Sequence, residues 1–288
     1  MTKTLQELLP PQAMAGQFDI DDPAEILHEQ TKFHRATLMG QVKNIVRFLR
    51  HPAYIARGAA GYNAYPSCPA IELPEPVLAL GELAQALAQR KSARAFAGAM
   101  TLQELSSLLH HSLRVRRMAK SDIAPHVKLA FRSYPSPGGL YPTEFYFFLN
   151  QVEGIEPCIA HYDARNHLLR VLKPQQGDAF GSTEVKSGES GGSGVQAPVV
   201  CVMTSVPQRA TAKYGARGYR MSLLEAGHAS QNLCLAAQGL GLGSLVYGAY
   251  YDDELAALLD IDGVTETVAS VMLLGREAPL APAASEDE

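Results

Sequence analysis

The chain has no clustered cysteines, no block of like charge and no long apolar run. Its four cysteines, Cys68, Cys158, Cys201 and Cys234, are far apart and form no C-x-x-C pair. That argues against a zinc cage or a disulfide framework and suits a reducing compartment. Charged residues make up 19% of the 288, with a formal net charge of −4, so composition makes no case for nucleic acid or a membrane as partner. Residues 1–20 lack a basic start followed by an apolar core, and no stretch approaches the roughly 20 apolar residues of a membrane span. A cytoplasmic protein with a small or proteinaceous partner is expected. What is present is an apolar content of 47%, ample for a sizeable core at this length.

Residues 23–50 read as helical and run into the basic stretch KNIVRFLRHPAYIAR, a solvated helix face in preference to a docking surface. A turn-rich loop, GYNAYPSCPAIELPEP, then separates an N-terminal arm and linker, 1–75, from a main domain, 76–288. Apolar spacing predicts a helix over 77–90, and Thr101 with Glu104 forms a T-x-x-E capping box that opens another over TLQELSSLLHHSL. EFYFFL, PCIAHYD and HLLRVL are short β-rich runs, with DARNH as a hairpin turn between the last two. APVVCVMTS and TVASVMLL are nearly continuous apolar runs, as expected of strands covered on both faces. YRMSLLEAGHASQNLCLAAQGLGLG reads as a long helix rich in small residues, buried in a core or at a subunit interface. These runs predict an α+β domain with a mainly antiparallel sheet flanked by helices.

Several motifs dissolve on inspection. Gly188-Glu189-Ser190-Gly191-Gly192 matches G-x-S-x-G, but it sits in the low-complexity stretch 181–194 with no strand before it and no helix after it. That stretch reads as a mobile loop. Gly239, Gly241 and Gly243 close a helix rather than open one, so they read as a C-cap and not a phosphate loop. His28, Glu29 and His34 fail the H-E-x-x-H spacing, and no metal site is expected. His110 and His111 read as exposed helix residues. Glu225, His228 and Asn232 share a helix face and read as a buried, hydrogen-bonded polar trio.

SYPSPGGLYPTE, residues 133–144, packs three prolines and two adjacent glycines into the mouth of a strand. Such a loop has few conformations and exposes bare backbone, a surface that can lie against a flat ring. Upstream, RKSAR at 90–94 gathers two guanidiniums, an ammonium and a hydroxyl, a set that suits a phosphate, although taken alone it also reads as a solvated helix end.

With RKSARAF, PSPGGLYPTE, KYGARGYRMSLLEAGHASQN, GLGLGS and the terminal LLGR in this order, the chain resembles the nitroreductase superfamily of FMN flavoproteins. Within it, the chain is similar to the SagB-type dehydrogenases, which include the azoline oxidases of ribosomal peptide biosynthesis. The resemblance implies a nitroreductase-like fold and an obligate homodimer with a helical N-terminal arm. It implies that Arg90, Lys91, Ser92 and Arg94, with Arg276, bind the FMN phosphate and ribityl chain. Pro135, Ser136, Pro137 and Gly139 would line the isoalloxazine of the partner's site, and the backbone at Gly248 would bond near flavin N5. Lys213 and Tyr214 would be the catalytic pair, whereas without the family they read as a solvated lysine beside an interfacial tyrosine. Pro137 stands where the family has a small residue.

The implied reaction is dehydrogenation of thiazoline or oxazoline rings in a peptide to the aromatic azoles, with electrons passed to oxygen and a cyclodehydratase as a further partner. Rival readings are an NAD(P)H-dependent nitro- or quinone-reductase, an oxidase of carrier-bound thiazolines in nonribosomal synthesis, and a non-catalytic flavin scaffold for a cyclase.

Overall fold

The computed structural model describes residues 47–278, apart from 49, 60–64, 76–82, 123, 176, 184–195, 216, 249, 251 and 264. Most of the stretch read as an N-terminal helix, the His28–His34 group and the G-x-S-x-G match lie outside the described residues.

The helices are α1 (Pro52–Ala59), α2 (Leu83–Gln89), α3 (Leu102–Ser112), α4 (Gln208–Tyr214), α5 (Arg217–Gly239) and α6 (Asp252–Leu258). The strands are β1 (Ala70–Glu72), β2 (Val115–Lys120), β3 (Lys128–Arg132), β4 (Thr143–Leu149), β5 (Cys158–Asp163), β6 (Leu168–Pro174), β7 (Val199–Ser205), β8 (Gly243–Tyr247) and β9 (Thr267–Gly275). Seven strands form one sheet in the order β1-β6-β5-β4-β7-β9-β8, while β2 and β3 form a separate ribbon. Neighbouring strands are antiparallel throughout, as expected from the short hairpin-linked runs. β1 draws residues 70–72, from the stretch read as linker, onto the edge of the sheet.

The unbroken apolar run of β4 follows from burial on both sides. Phe145, Phe147 and Leu149 join a core under α3 and α5, which also takes Leu105, Leu108, Leu109, Ala229 and Leu233. Tyr146 and Phe148 turn to the other face, where Leu255 and Leu259, from α6 and just beyond it, cover them together with Phe180. Strand side chains alternate between faces, so a sheet with two cores needs apolar residues at nearly every position.

The capping box is present: Glu104 N–H donates to Thr101 Oγ1 at 3.1 Å, and Thr101 N–H to Glu104 Oε2 at 2.8 Å. α5 ends as its GLGLG sequence suggests, with Leu242 N–H bonding the Ala237 carbonyl and Gly241 N–H that of Gln238, a Schellman pattern. Among the described residues no helix is long and apolar enough to cross a membrane.

Candidate functional site

The loop between β3 and β4 turns through a 3-10 segment at Pro137–Gly139. Gly138 holds a φ of 61°, and a Cβ built there would lie 2.6 Å from Tyr214 Oη and 2.9 Å from Lys213 Nζ. Only a bare residue lets the Lys–Tyr pair lie directly against this backbone. The Ser136 hydroxyl accepts the Tyr141 N–H at 2.8 Å and lies near the carboxylate of Glu225. Glu225, buried on α5, accepts the Thr143 N–H at 3.1 Å, so it holds the end of the loop where β4 begins. Burial raises the Glu225 pKa, against the opposing pull of Ser136, Arg132 and Thr143.

α4 brings Lys213 and Tyr214 to this loop, and Arg209 one turn earlier clamps it there. Arg209 Nη1 donates to the Tyr141 carbonyl at 3.1 Å and to Glu144 Oε1 at 2.5 Å. Glu144, only 1% exposed, also meets His161 Nε2 at 2.8 Å. Burial alone would push the Glu144 pKa up, but Arg209 and His161 outweigh it and hold it at about 2. α4 can turn tightly into α5 because a Cβ on Gly218 would come within 2.6 Å of the Ala210 and Thr211 backbone.

Lys213 and Tyr214 are half-buried, and Lys213 Nζ sits 5.6 Å from the Phe48 ring centroid and 5.2 Å from that of Tyr214. Phe48 and Ile55 pack with Ala124, Val127 and Leu140, and Tyr214 lies against this cluster. In the described part of KNIVRFLRHPAYIAR the basic Arg47, Arg50 and His51 are exposed, as expected of a solvated face, while the apolar Phe48 and Ile55 turn inward to cover the loop and α4.

The cationic set gathers elsewhere. Ser92 bridges Ser244 at the start of β8, Ala93 N–H bonds the Ser244 carbonyl at 2.9 Å, and Ala97 N–H bonds the Arg276 carbonyl at 3.0 Å. This places RKSAR alongside Arg276. Lys91 pairs with Glu277 at 2.9 Å and Arg276 with Glu104 at 2.8 Å, with Lys91 69% and Arg276 52% exposed. Ser92 and Arg94 are exposed and Arg90 half-buried. Gly248 follows β8 directly and is exposed, and a Cβ there would meet open space. Within one chain the structure thus assembles two groups rather than one, near opposite ends of α5, whose 23 residues span about 35 Å.

Three side chains depart from the sequence reading. His110 and His111 are half-buried rather than exposed: Arg114 Nη1 lies 2.9 Å from His110 Nδ1, Arg116 Nη1 lies 2.7 Å from Nε2, and the His167 ring packs on His110. Burial first, then these arginines, pushes the His110 pKa down to about 4. His228 is exposed and leaves the expected trio, while Glu225 is buried and Asn232 donates to the Ser112 and Ser133 carbonyls at 3.2 Å each. The Glu144–His161–Arg209 network was missed. Its signal was a glutamate and a histidine inside the apolar runs EFYFFL and CIAHY, where charge demands a partner.

The sequence profile of the nitroreductase family matches residues 87–276. The chain belongs to the nitroreductase family. It is thereby placed among oxidoreductases. It is 31% identical over 193 residues to MJ1384 of Methanocaldococcus jannaschii, which bears a nitroreductase name, covering 66% of this chain and 90% of that one. It is 31% identical over 150 residues to the microcin B17-processing protein McbC of Escherichia coli, covering 50% of this chain and 54% of McbC. Among solved structures, the E. coli microcin synthetase McbBCD complex with truncated pro-MccB17 bound matches with a TM-score of 0.56 at 20% identity, covering 88% of this chain and 98% of the matched one. That last likeness is one of fold.

Proposed function

We infer that this family member is an FMN-dependent dehydrogenase of the SagB type, an azoline oxidase. It oxidises thiazoline or oxazoline rings in a ribosomally made peptide, works as a homodimer and passes electrons to oxygen. The observation that carries the reading is the Lys213–Tyr214 pair lying against the bare backbone of Gly138. A proton acceptor there borders a surface on which a flat ring can rest. The likeness to McbC, named for processing microcin B17, supports a peptide substrate.

The residues fit FMN. Arg90, Lys91, Ser92, Arg94 and Arg276 offer cations and a hydroxyl for its phosphate; Lys91 and Arg276 are themselves more than half exposed, so an anion can compete with Glu277 and Glu104 for them. Pro135, Ser136, Pro137 and Gly139 offer the fixed loop for its ring, and Gly248 an open backbone. Bound there, FMN would supply the two-electron redox chemistry that side chains lack. Lys213 takes the proton from the substrate ring carbon and Tyr214 hydrogen-bonds beside it, while Glu225 and Arg209 keep loop and helix in register. Since loop and cations stand near opposite ends of α5, we assign the complete site to two chains, the loop of one facing the cations of the other. The α5 face bearing Leu223 and Leu224, 40% and 57% exposed, would be covered in that dimer.

Residues 1–75 act as arm and linker to the flavin domain, 76–288, in the cytoplasm. The McbBCD complex pairs a chain of this fold with other proteins, which supports a cyclodehydratase partner here. The likeness to MJ1384 favours a second reading, an NAD(P)H-dependent nitroreductase. Purified FMN-loaded protein, assayed in parallel on an azoline peptide under air and on a nitroarene with NADPH, separates the two. Azole formation is expected, and rapid NADPH bleaching with nitroarene turnover alone would overturn the oxidase reading.

A further inference from the structure

β2 and β3 form a basic ribbon on a chain whose net charge is −4. It carries Arg116, Arg117 and Lys120 on one strand and Lys128 and Arg132 on the other, with Lys120 directly opposite Lys128. Like charges face to face cost stability, and a retained cost of this kind raises the local potential for an incoming anion.

The register slips at one point. Val115 pairs with Arg132 and Arg117 with Phe131, so Arg116 is an extra, unopposed residue. In a regular strand consecutive side chains point to opposite faces. The bulge re-aims one of them, and Arg116 and Arg117 both line a single cleft of about 440 Å³, with Phe131, Arg132, Ser136 and Gly139 among its other walls. The cleft therefore opens against the loop that we assign to the flavin ring.

The three guanidiniums are not equivalent. Arg132 is committed inward: its Nη1 donates to Tyr134 Oη at 2.9 Å and to the Thr143 carbonyl at 3.1 Å, with Glu144 and Glu225 as the nearby negative charges. Arg117 sits over Phe131, its Cζ 4.4 Å from the ring centroid, a contact that positions the guanidinium while its N–H groups can still serve a ligand. Among the described residues Arg116 hydrogen-bonds His110, whose lowered pKa keeps it neutral. That ring faces arginine N–H groups at both nitrogens but has one lone pair for them when neutral, so the cluster is short of acceptors. Among the described residues neither Arg116 nor Arg117 is within ion-pair distance of a carboxylate, and no acidic residue lines the cleft.

We propose that the cleft between the β2–β3 ribbon and the 135–141 loop seats a carboxylate of the substrate, held by Arg116 and Arg117, so that the enzyme prefers azoline peptides bearing an acidic group near the ring. Paired N–H groups of arginine match a carboxylate's two oxygens. The proposal rests on the azoline-peptide reading for its substrate, and binding tests it apart from turnover.

Calorimetry on the flavin-loaded enzyme would compare one azoline peptide in three forms: with a free C-terminal carboxylate and a flanking Asp, with the C-terminus amidated, and with the Asp replaced by Asn. One of the two neutralised forms is expected to bind about tenfold more weakly, which tells terminus from side chain. The R116Q/R117Q variant is expected to lose that preference while keeping its FMN, and Arg117→Lys to keep part of it. Equal binding of all three peptides to the parent protein overturns the proposal without needing any variant. So does a double variant that retains the preference, or one that releases its flavin, which would assign the cleft to the cofactor's phosphate. Should the parent bind with the expected preference yet oxidise none of the peptides, the azoline reading fails and the carboxylate seat stands.

Discussion

The two ends of α5 are built on opposite physical terms. At its start, the 135–141 loop and α4 are tied to buried groups: Glu225 holds Thr143 where the loop enters β4, and Arg209 joins Tyr141 to a Glu144–His161 pair that is almost wholly removed from water. Past its end, Lys91 and Arg276 stand in solvent, paired to Glu277 and Glu104 in bridges of the kind that contribute little. The first arrangement fixes geometry before any ligand arrives. The second supplies charge that can be redirected. A site that must orient a ring and merely retain a phosphate needs both, and the contrast teaches which substitutions should damage chemistry, folding or affinity.

Lys213→Ala is the strongest way to break this division. It is expected to lose on the order of 10² to 10⁴ in azoline oxidation, the usual worth of a positioned base, with FMN content and sedimentation unchanged. Tyr214→Phe should lose less, and a near-parental rate for Lys213→Ala with FMN fully bound would show that another residue is the base.

Arg209→Met removes the clamp and takes from the buried Glu144 its direct guanidinium partner, leaving His161 beside it and Arg132 nearby. A broken buried pair costs about 3–5 kcal/mol, so the melting temperature is expected to fall by roughly 10 °C. A fall of only a degree or two would show that the loop end is not held as described.

Arg276→Ala probes the other end. Its stability is expected to stay within about 0.5 kcal/mol of the parent, while FMN affinity, followed by flavin fluorescence on dilution, falls about tenfold. An unfolding penalty as large as that of Arg209→Met would erase the contrast between the ends.

How far the sequence carried this account depended on where each signal lay. β4, β7 and β9 were legible because a sheet buried on both faces writes itself as continuous apolar runs, and α3 announced itself through Thr101 and Glu104. The loop stood out by its prolines and glycines. The Glu144–His161–Arg209 network could not be assembled the same way, since Arg209 is 65 residues from Glu144 and meets it only once α4 folds back over β4. His228 was misplaced because it lies about 60° round the helix from Glu225, enough to leave the buried stripe. His110 and His111 lost their expected exposure to Arg114, Arg116 and His167, partners that helix spacing alone does not rank.

The smallest expected effect is on pH. His110 and His167 ordinarily titrate near 6.5 but are held at about 4, by burial first and then by the arginines beside them. Their folded pKa lies below the unfolded one, so the unfolded chain binds protons first and stability falls as pH drops from about 6.5 toward 4. Glu144, ordinarily 4.5 and held at about 2, contributes fully above 4.5 and loses its contribution as pH falls toward 2. Glu225 runs the other way, since its raised pKa favours the acid side and its contribution declines as pH rises. Urea midpoints at pH 7.5, 6 and 5 should decline in that order, and His167→Gln should flatten the decline; a midpoint constant from pH 7.5 to 5 would contradict the assignment.

On the proposed assembly, one complete site draws its loop and Lys213 from one chain and its cations from the other. Mixing Lys213→Ala protein with R90A/R94A protein, each inactive alone, then unfolding and refolding them together, tests it directly. In a two-fold dimer, random reassociation makes about half of the molecules mixed, and each of these regains one intact site. Recovery of about a quarter of the parental azoline oxidation is expected; a mixture that stays as inactive as its components, with mixed dimers demonstrated by differential tags, would place the whole site within a single chain.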